Sequence, residues 1–168
     1  MESIRSAMEG TSRHLADHPE AGTGTDSAAT AVREEGLRFR VSGPGGDVVT
    51  DMATAVGGGE SAPSPGWLMR AALASCDASL VAMEAARAGV ELTELEVTVT
   101  SESDFRGVIW PDASAPPGPA SVVVRIRVAA DGVDDARLRE LVLAAEAHSP
   151  VRDAIAREVP VTTEIVTG

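Results

Sequence analysis

The chain contains one cysteine, Cys76, and the first question is what that thiol could do. A lone cysteine cannot form a disulfide within its own chain, which fits a reducing compartment. A thiol that attacks another molecule must be ionised, whereas apolar surroundings disfavour the charged form. Cys76 is therefore either a reactive thiol with a cation beside it or an inert thiol that packs as a small apolar side chain.

An arginine must supply the permanent positive charge beside a reactive thiol, because all fourteen residues in the lysine-plus-arginine count are arginine. The absence of lysine excludes Schiff-base chemistry and a phosphate-binding loop of the P-loop type. Arg38, Arg40 and Arg70 are the candidates for a position near Cys76. Each of them can equally be a surface charge.

Two other features resemble sites but favour simpler interpretations. His14 and His18 are four residues apart and would share a helix face, a geometry that can hold a metal ion. No acidic or cysteine ligand is tied to them by spacing, so we predict a surface pair and no metal site. The triple glycine at 57–59 is not followed by the Lys-Ser/Thr of a phosphate loop, which favours a flexible connection.

The cysteine lies in the middle of a predicted helix. Ser64 suits the N-cap, Pro65 suits the first helical position, and Gly89 can take the left-handed conformation at the end. Residues between them are apolar or very small on nearly every side, a pattern typical of a helix enclosed by other structure.

The other elements follow from hydrophobic periodicity. Alternation around Leu37, Phe39 and Val41 predicts a strand that returns as a hairpin over 47–50. The early and middle parts of the chain predict a helix over 3–18 and strands over 95–100 and 122–128, with strand end and loop between the two strands. An amphipathic helix follows, capped by Asp134 or Asp135 and with its apolar face at Leu138, Leu141, Val142 and Ala145. A short helix Val151–Arg157 and a final strand Val161–Val166 are predicted at the end. This order predicts an α+β fold with antiparallel pairing, with an N-terminal helix and connector over 1–30 and the main domain over 31–168.

The charge balance limits the partners. A net charge of −12 repels nucleic acid and anionic membranes. No run approaches the roughly 18 apolar residues that a membrane span needs, and the first residues lack a signal pattern. We therefore expect a cytoplasmic protein.

Three stretches together resemble the OsmC/Ohr family, the osmotically induced and organic-hydroperoxide-resistance proteins. They are PGWLMRAALASC (65–76), DFRG (104–107) and SPVRDAI (149–155), within a similarity that covers about residues 36–166. The resemblance implies an intertwined homodimer whose curved antiparallel sheets wrap two long central helices. It also implies reduction of hydroperoxides by a helix cysteine without a cofactor.

The resemblance places Cys76 at the position that attacks the peroxide, and Arg38 or Arg40 at that of an arginine that holds the thiolate. Ser149 stands where the family has its second cysteine, and Gly66 where it has a glutamate. A serine cannot form a disulfide, which excludes a two-cysteine cycle. Two hypotheses remain: a one-cysteine peroxidase restored by an external thiol, and a noncatalytic dimer that binds a small apolar ligand or acts as an interaction module.

Overall fold

The computed structural model describes residues 2–110 and 114–168 of the chain. It is a mixed α+β structure, as predicted. In chain order its elements are α1 (Glu2–Asp17), β1 (Thr30–Glu35), β2 (Arg38–Gly43), β3 (Gly46–Thr50), α2 (Pro65–Ala88), β4 (Leu92–Ser103), α3 (Arg106–Ile109), β5 (Pro119–Ala130), α4 (Asp135–Glu146) and α5 (Pro150–Ala156).

The chain divides into two compact units. Unit 1 comprises Met1–Ala72 and Thr100–Val122, and unit 2 comprises Leu73–Val99 and Val123–Gly168. Unit 1 holds a three-stranded antiparallel sheet in the order β1-β2-β3. The β2–β3 hairpin is the predicted one, with Val41 opposite Val48 in its register. Strand β1 was not predicted, because its six residues are all exposed and carry no alternating apolar face.

Helix α2 begins and ends where its cap residues predicted. The Ser64 hydroxyl accepts a hydrogen bond from the Trp67 N–H at 3.2 Å, and Gly89 has φ of 73°. The prediction of a helix covered on all sides is wrong for the single chain. Most of its buried residues form one stripe at four-residue spacing, while the other faces are partly or fully exposed; the buried set is Leu73, Asp77, Val81, Ala85 and Ala86.

Unit 2 contains a packed core between α2 and α4. Buried Val81, Ala85, Leu141 and Ala145 form its centre. Partly buried side chains from β4 and β5 complete it, among them Leu92, Leu95, Ile126 and Val128. Over residues 95–101 and 122–128 every second residue is partly buried, which confirms the predicted alternation.

Strands β4 and β5 pair with each other in a second, two-stranded sheet. Arg127 near the end of β5 meets Glu94 near the start of β4 at 3.6 Å. Ser121 near the start of β5 donates to Glu102 near the end of β4 at 3.4 Å. The strands therefore run antiparallel, as predicted.

The two predicted C-terminal helices are confirmed, and the structure identifies which aspartate caps the first of them. Asp134 is the N-cap of α4, since its carboxylate accepts a hydrogen bond from the Arg137 N–H at 2.8 Å. Helix α5 follows after a short break and has Ser149 as its N-cap. Both caps satisfy N–H groups that have no partner within the helix.

Two further predictions were wrong. The final strand Val161–Val166 does not form: residues 158–168 have no regular secondary structure and are exposed throughout. An extended segment becomes a strand only beside another strand, and the described part of this chain offers it none. The predicted loop after β4 contains the four-residue helix α3, although residues 111–113 of that loop lie outside the described residues.

In the part of the chain that the structure describes, no helix is long and apolar enough to cross a membrane.

Candidate functional site

The cysteine of α2 lies against the serine that caps α5, both in unit 2. Cys76 is half-buried, and the Ser149 hydroxyl donates a hydrogen bond to its Sγ at 3.4 Å. Ser149 is only 3% exposed, and its oxygen also accepts from the Arg152 N–H at 3.3 Å. A hydroxyl has one donor and two acceptor sites, so the serine can serve both partners. Cys76 is thus not fully enclosed, and its sulfur has a hydroxyl donor beside it.

A charged cluster built on one fully buried carboxylate lies immediately next to this contact. Asp77, which follows the cysteine, has a side chain with no exposed area, and its Oδ2 accepts from Arg152 Nη2 at 3.2 Å. The same Nη2 donates to Glu146 at the end of α4. One guanidinium nitrogen carries two hydrogens, so it can bond both carboxylates. This cluster of Asp77, Arg152 and Glu146 joins α2, α4 and α5.

The cluster was missed by the sequence analysis, although a signal existed. Asp77 is an acidic residue in the middle of an otherwise apolar helix, and buried carboxylates are nearly always paired. Its partner Arg152 is 75 positions away in the chain. The spacing of residues in one sequence does not predict a contact between side chains so far apart in the chain.

The two hairpin arginines lie in unit 1 and are paired there. Arg38 donates to Glu34 at 3.0 Å and to the Ser61 hydroxyl at 2.6 Å. Arg40 contacts Glu34 at 2.5 Å and Asp47 at 3.7 Å. Hydrogen bonds from Arg40 and then Arg38 hold the pKa of Glu34 below its usual value, although desolvation opposes them. Their role toward the thiol stays a prediction.

The loop that contains the triple glycine is organised by Asp51. Its carboxylate accepts from the N–H groups of Met52, Gly59 and Ser61 and from the Ser61 hydroxyl at 2.7 Å. The hydrogen bonds from the Ser61 hydroxyl and N–H have the largest effect in lowering the pKa of Asp51 to about 2. Gly58 packs so closely that a Cβ there would lie 1.9 Å from the Met52 carbonyl oxygen. This segment has a defined backbone path, unlike the flexible connection that we expected.

Gly66 occupies the second position of α2 and faces open space. A Cβ built there would meet nothing nearer than 3.9 Å, where Arg70 Nη1 and Ser64 Oγ lie. Arg70 instead donates to the Ser101 hydroxyl at 3.1 Å, within unit 1. The third candidate arginine is thus engaged by a serine.

The DFRG stretch has a structural basis of its own. Asp104 accepts from the Arg106 N–H at 3.0 Å and from its guanidinium, which lowers the pKa of Asp104 and raises that of Arg106. A Cβ at Gly107 would lie 2.3 Å from the carbonyl oxygen of Pro116. Glycine is therefore required where this turn approaches the following loop.

The histidine pair lies on the exposed helix α1 and the residue that follows it, with ring centroids 4.8 Å apart. His18 also contacts Glu20 at 3.5 Å. Among the described residues, no group of three histidine, cysteine or acidic side chains could hold a metal ion.

A groove of about 480 Å³ lies in unit 2 between β5 and α4. Its lining combines apolar side chains with charged ones: Val124, Ile126, Arg127, Val128, Asp135, Leu138, Arg139, Val142, Leu143 and Glu146. Cys76 does not line it, whereas Glu146 belongs to both the groove and the charged cluster.

Solved structures with a similar fold come from several bacteria. An OsmC-like protein from Mycoplasma pneumoniae has a TM-score of 0.67 at 12% identity, covering 80% of this chain and 89% of its own. An OsmC-like protein of unknown function from Vibrio cholerae has a TM-score of 0.64 at 15% identity, and the match covers 85% of this chain and 100% of that protein. The organic hydroperoxide resistance protein OsmC from Legionella pneumophila has a TM-score of 0.58 at 21% identity, and the match covers 79% of this chain and 90% of that protein. These structural similarities show that this chain has the fold of those proteins.

The sequence comparison points to the same family. No curated protein matches the chain. The model of the family described as OsmC-like protein matches residues 57–164, a span that includes α2, Cys76 and Ser149. With well over half of its length matched, the chain belongs to the OsmC-like protein family.

Proposed function

We propose that this protein is a one-cysteine thiol peroxidase, in which Cys76 reduces an organic hydroperoxide and an external thiol restores it. The observation that carries the proposal is the Cys76–Ser149 contact. Cys76 is half-buried rather than enclosed in the core, and a hydroxyl donates to its sulfur at 3.4 Å. An inert packing cysteine would need neither solvent access nor a polar neighbour.

The proposed reaction begins with attack of the Cys76 thiolate on one oxygen of the hydroperoxide. The O–O bond breaks, an S–O bond forms, and the leaving alkoxide takes a proton to become an alcohol. Cys76 is then a sulfenic acid, oxidised by two electrons. The Ser149 O–H, placed at the sulfur, supplies a hydrogen bond to the thiolate before the attack.

Restoration requires an external reductant, since the chain has no second cysteine. One external thiol condenses with the sulfenic acid, releasing water and forming a mixed disulfide. A second thiol attacks that disulfide, which frees Cys76 and leaves the external pair oxidised. The reductant is therefore a small thiol or a dithiol protein, and no cofactor takes part.

An arginine that stabilises the thiolate is part of the proposal, and Arg38 or Arg40 is assigned to that role. Both carry charge-assisted hydrogen bonds to Glu34, which fixes their direction within unit 1. Replacing each in turn by methionine and measuring the oxidation rate of Cys76 identifies the residue. Equal rates in both variants and the wild type would remove these arginines from the mechanism.

The working form is proposed to be a homodimer. The segment after α5 has apolar residues in alternation at Val159, Val161 and Ile165 but lies exposed, with Val161 87% and Ile165 81% accessible. Large exposed apolar side chains of this kind mark contact surfaces. Light scattering should give twice the 17.2 kDa chain mass at micromolar concentration, and a mass of one chain would contradict the dimer.

The experiment that tests the peroxidase is consumption of cumene hydroperoxide by the purified protein with dithiothreitol as reductant. Turnover should persist in Ser149→Ala at a reduced rate and vanish in Cys76→Ala. Consumption at equal rates by the wild type and Cys76→Ala would refute the proposal.

A second candidate function is binding of a small apolar ligand, which the groove between β5 and α4 favours. Its volume of about 480 Å³ lies within the usual range for small-molecule sites. This function predicts that Cys76→Ala retains biological effect, whereas Leu143→Arg, which places a charge at an exposed position of the groove, loses it. Loss of peroxide tolerance in cells carrying Cys76→Ala would decide against it.

A further inference from the structure

Arg152 lies at the point where the cysteine, its serine neighbour and two carboxylates come together. Its backbone N–H donates to Ser149 Oγ, and its guanidinium donates to Asp77 and to Glu146. Asp77 is the residue next to Cys76 on α2. One arginine is therefore connected to both partners of the thiol–hydroxyl contact.

The cluster is poorly explained as a source of stability. Asp77 Oδ1 and Arg152 Nε are both buried, and neither has a hydrogen-bond partner among the described residues. A buried ionic group that is only partly satisfied is no more stabilising than apolar side chains of the same size. Its directional bonds, however, fix positions that apolar packing leaves adjustable.

The cluster holds the first turn of α5 against α2 with a definite orientation. Ser149 and Arg152 are separated by three positions, so their side chains lie on the same side of this turn. Asp77 is fully buried and belongs to a long helix, which makes it a rigid anchor. When Arg152 engages Asp77, the adjoining Ser149 is brought to Cys76.

We propose that Arg152 is a positioning residue, which uses its ion pairs with Asp77 and Glu146 to hold the Ser149 hydroxyl on the Cys76 sulfur. It acts through Ser149 and does not contact the reacting sulfur itself. The proposal rests on the proposed use of Cys76 as the reacting thiol. It adds residues that the sequence resemblance did not single out.

The test replaces Ser149 by cysteine and measures how closely the two sulfurs are held. In glutathione buffers of stepped redox potential, the fraction of Ser149→Cys protein whose introduced thiol is disulfide-bonded to Cys76 gives the effective molarity of the thiol pair. The full-length protein is used, and the fraction is read by alkylation and intact mass. Arg152→Met and Asp77→Asn are then introduced into this background, with Asp153→Asn as the matched control on α5.

Arg152→Met and Asp77→Asn should each lower the effective molarity about tenfold, while Asp153→Asn should change it less than about twofold. Asp77→Asn keeps the volume of the side chain, so it decides the outcome if Arg152→Met does not fold. A value within about twofold of the Ser149→Cys parent in Asp77→Asn overturns the proposal, as does failure of the parent to form the disulfide. A purely structural role would lower the melting temperature and leave the effective molarity of the folded protein unchanged.

The equilibrium contains no peroxide, so it does not depend on peroxidase activity. An inactive wild-type protein with the expected effective molarities would remove the proposed function and leave the positioning role of Arg152 intact. An active protein whose effective molarity is unchanged by Arg152→Met would remove the positioning role and leave the proposed function intact.

Discussion

Replacement of Arg152 by methionine is expected to lower the free energy of unfolding by about 3 kcal/mol. Removing one member of a buried ion pair costs about 3–5 kcal/mol, because the remaining charge stays buried without its partner. Here that charge is Asp77, whose side chain has no exposed area. Arg152 itself is 35% exposed, and water screens part of its interactions, which places the effect at the lower end of that range.

Two control variants separate this effect from loss of an ordinary surface contact. Arg157→Met removes an exposed pair with Asp153 at 2.6 Å, and such pairs contribute about 0.3–0.5 kcal/mol. The double variant Arg152→Met/Asp77→Leu removes the stranded charge as well. It should regain most of the lost stability, since apolar replacement of a buried pair is often neutral or favourable.

Urea denaturation followed by circular dichroism measures these differences from the midpoint and the slope. The protomer concentration must be the same in every sample, because association would stabilise the folded form. The reasoning is refuted if Arg152→Met and Arg157→Met lie within about 0.5 kcal/mol of each other. It is refuted equally if the losses from Arg152→Met and Asp77→Leu simply add in the double variant.

Three further substitutions test local features of unit 1. Gly66→Ala should stabilise the protein by about 0.5 kcal/mol, since alanine restricts the unfolded chain and the site is open; an unchanged urea midpoint would contradict this. Gly58→Ala should destabilise it by about 1–3 kcal/mol, because the new Cβ collides with the Met52 carbonyl; a neutral effect would show that the loop has another path. The depressed pKa of Asp51 means that its contribution to stability is complete above its ordinary value of 3.8 and is lost as the pH falls toward about 2. Asp51→Asn should therefore lower the urea midpoint at pH 7 and flatten its fall in acid, and parallel acid profiles for the two proteins would count against that assignment.

Local signals predicted much of the fold. The limits of α2 followed from Ser64, Pro65 and Gly89, whose cap chemistry involves only neighbouring residues. Strands β4 and β5 followed from alternation, since one face of each packs on the core of unit 2. The segment from Val161 to Val166 shows the same kind of pattern and forms no strand. Pairing depends on a neighbour that periodicity does not reveal.

The sequence named two residues of the candidate site but none of its contacts. The family resemblance marked Cys76 and Ser149, while their hydrogen bond joins positions 73 apart in the chain. Asp77 lies outside the quoted motifs, and Arg152 lies within SPVRDAI but was given no role there. Only the packing of α5 against α2 brings these two residues together. Long-range pairs of this kind depend on tertiary structure, which the local patterns of one sequence do not specify.

The most direct test of the central claim is the intact mass of the protein after brief treatment with one equivalent of cumene hydroperoxide, without reductant. The account predicts a single added oxygen in the wild type, none in Cys76→Ala, and its removal by a thiol that attacks sulfenic acid. Trapping with a sulfenic-acid reagent should place the adduct on Cys76. A wild-type protein whose mass stays unchanged, although the fold is intact by circular dichroism, would contradict the account.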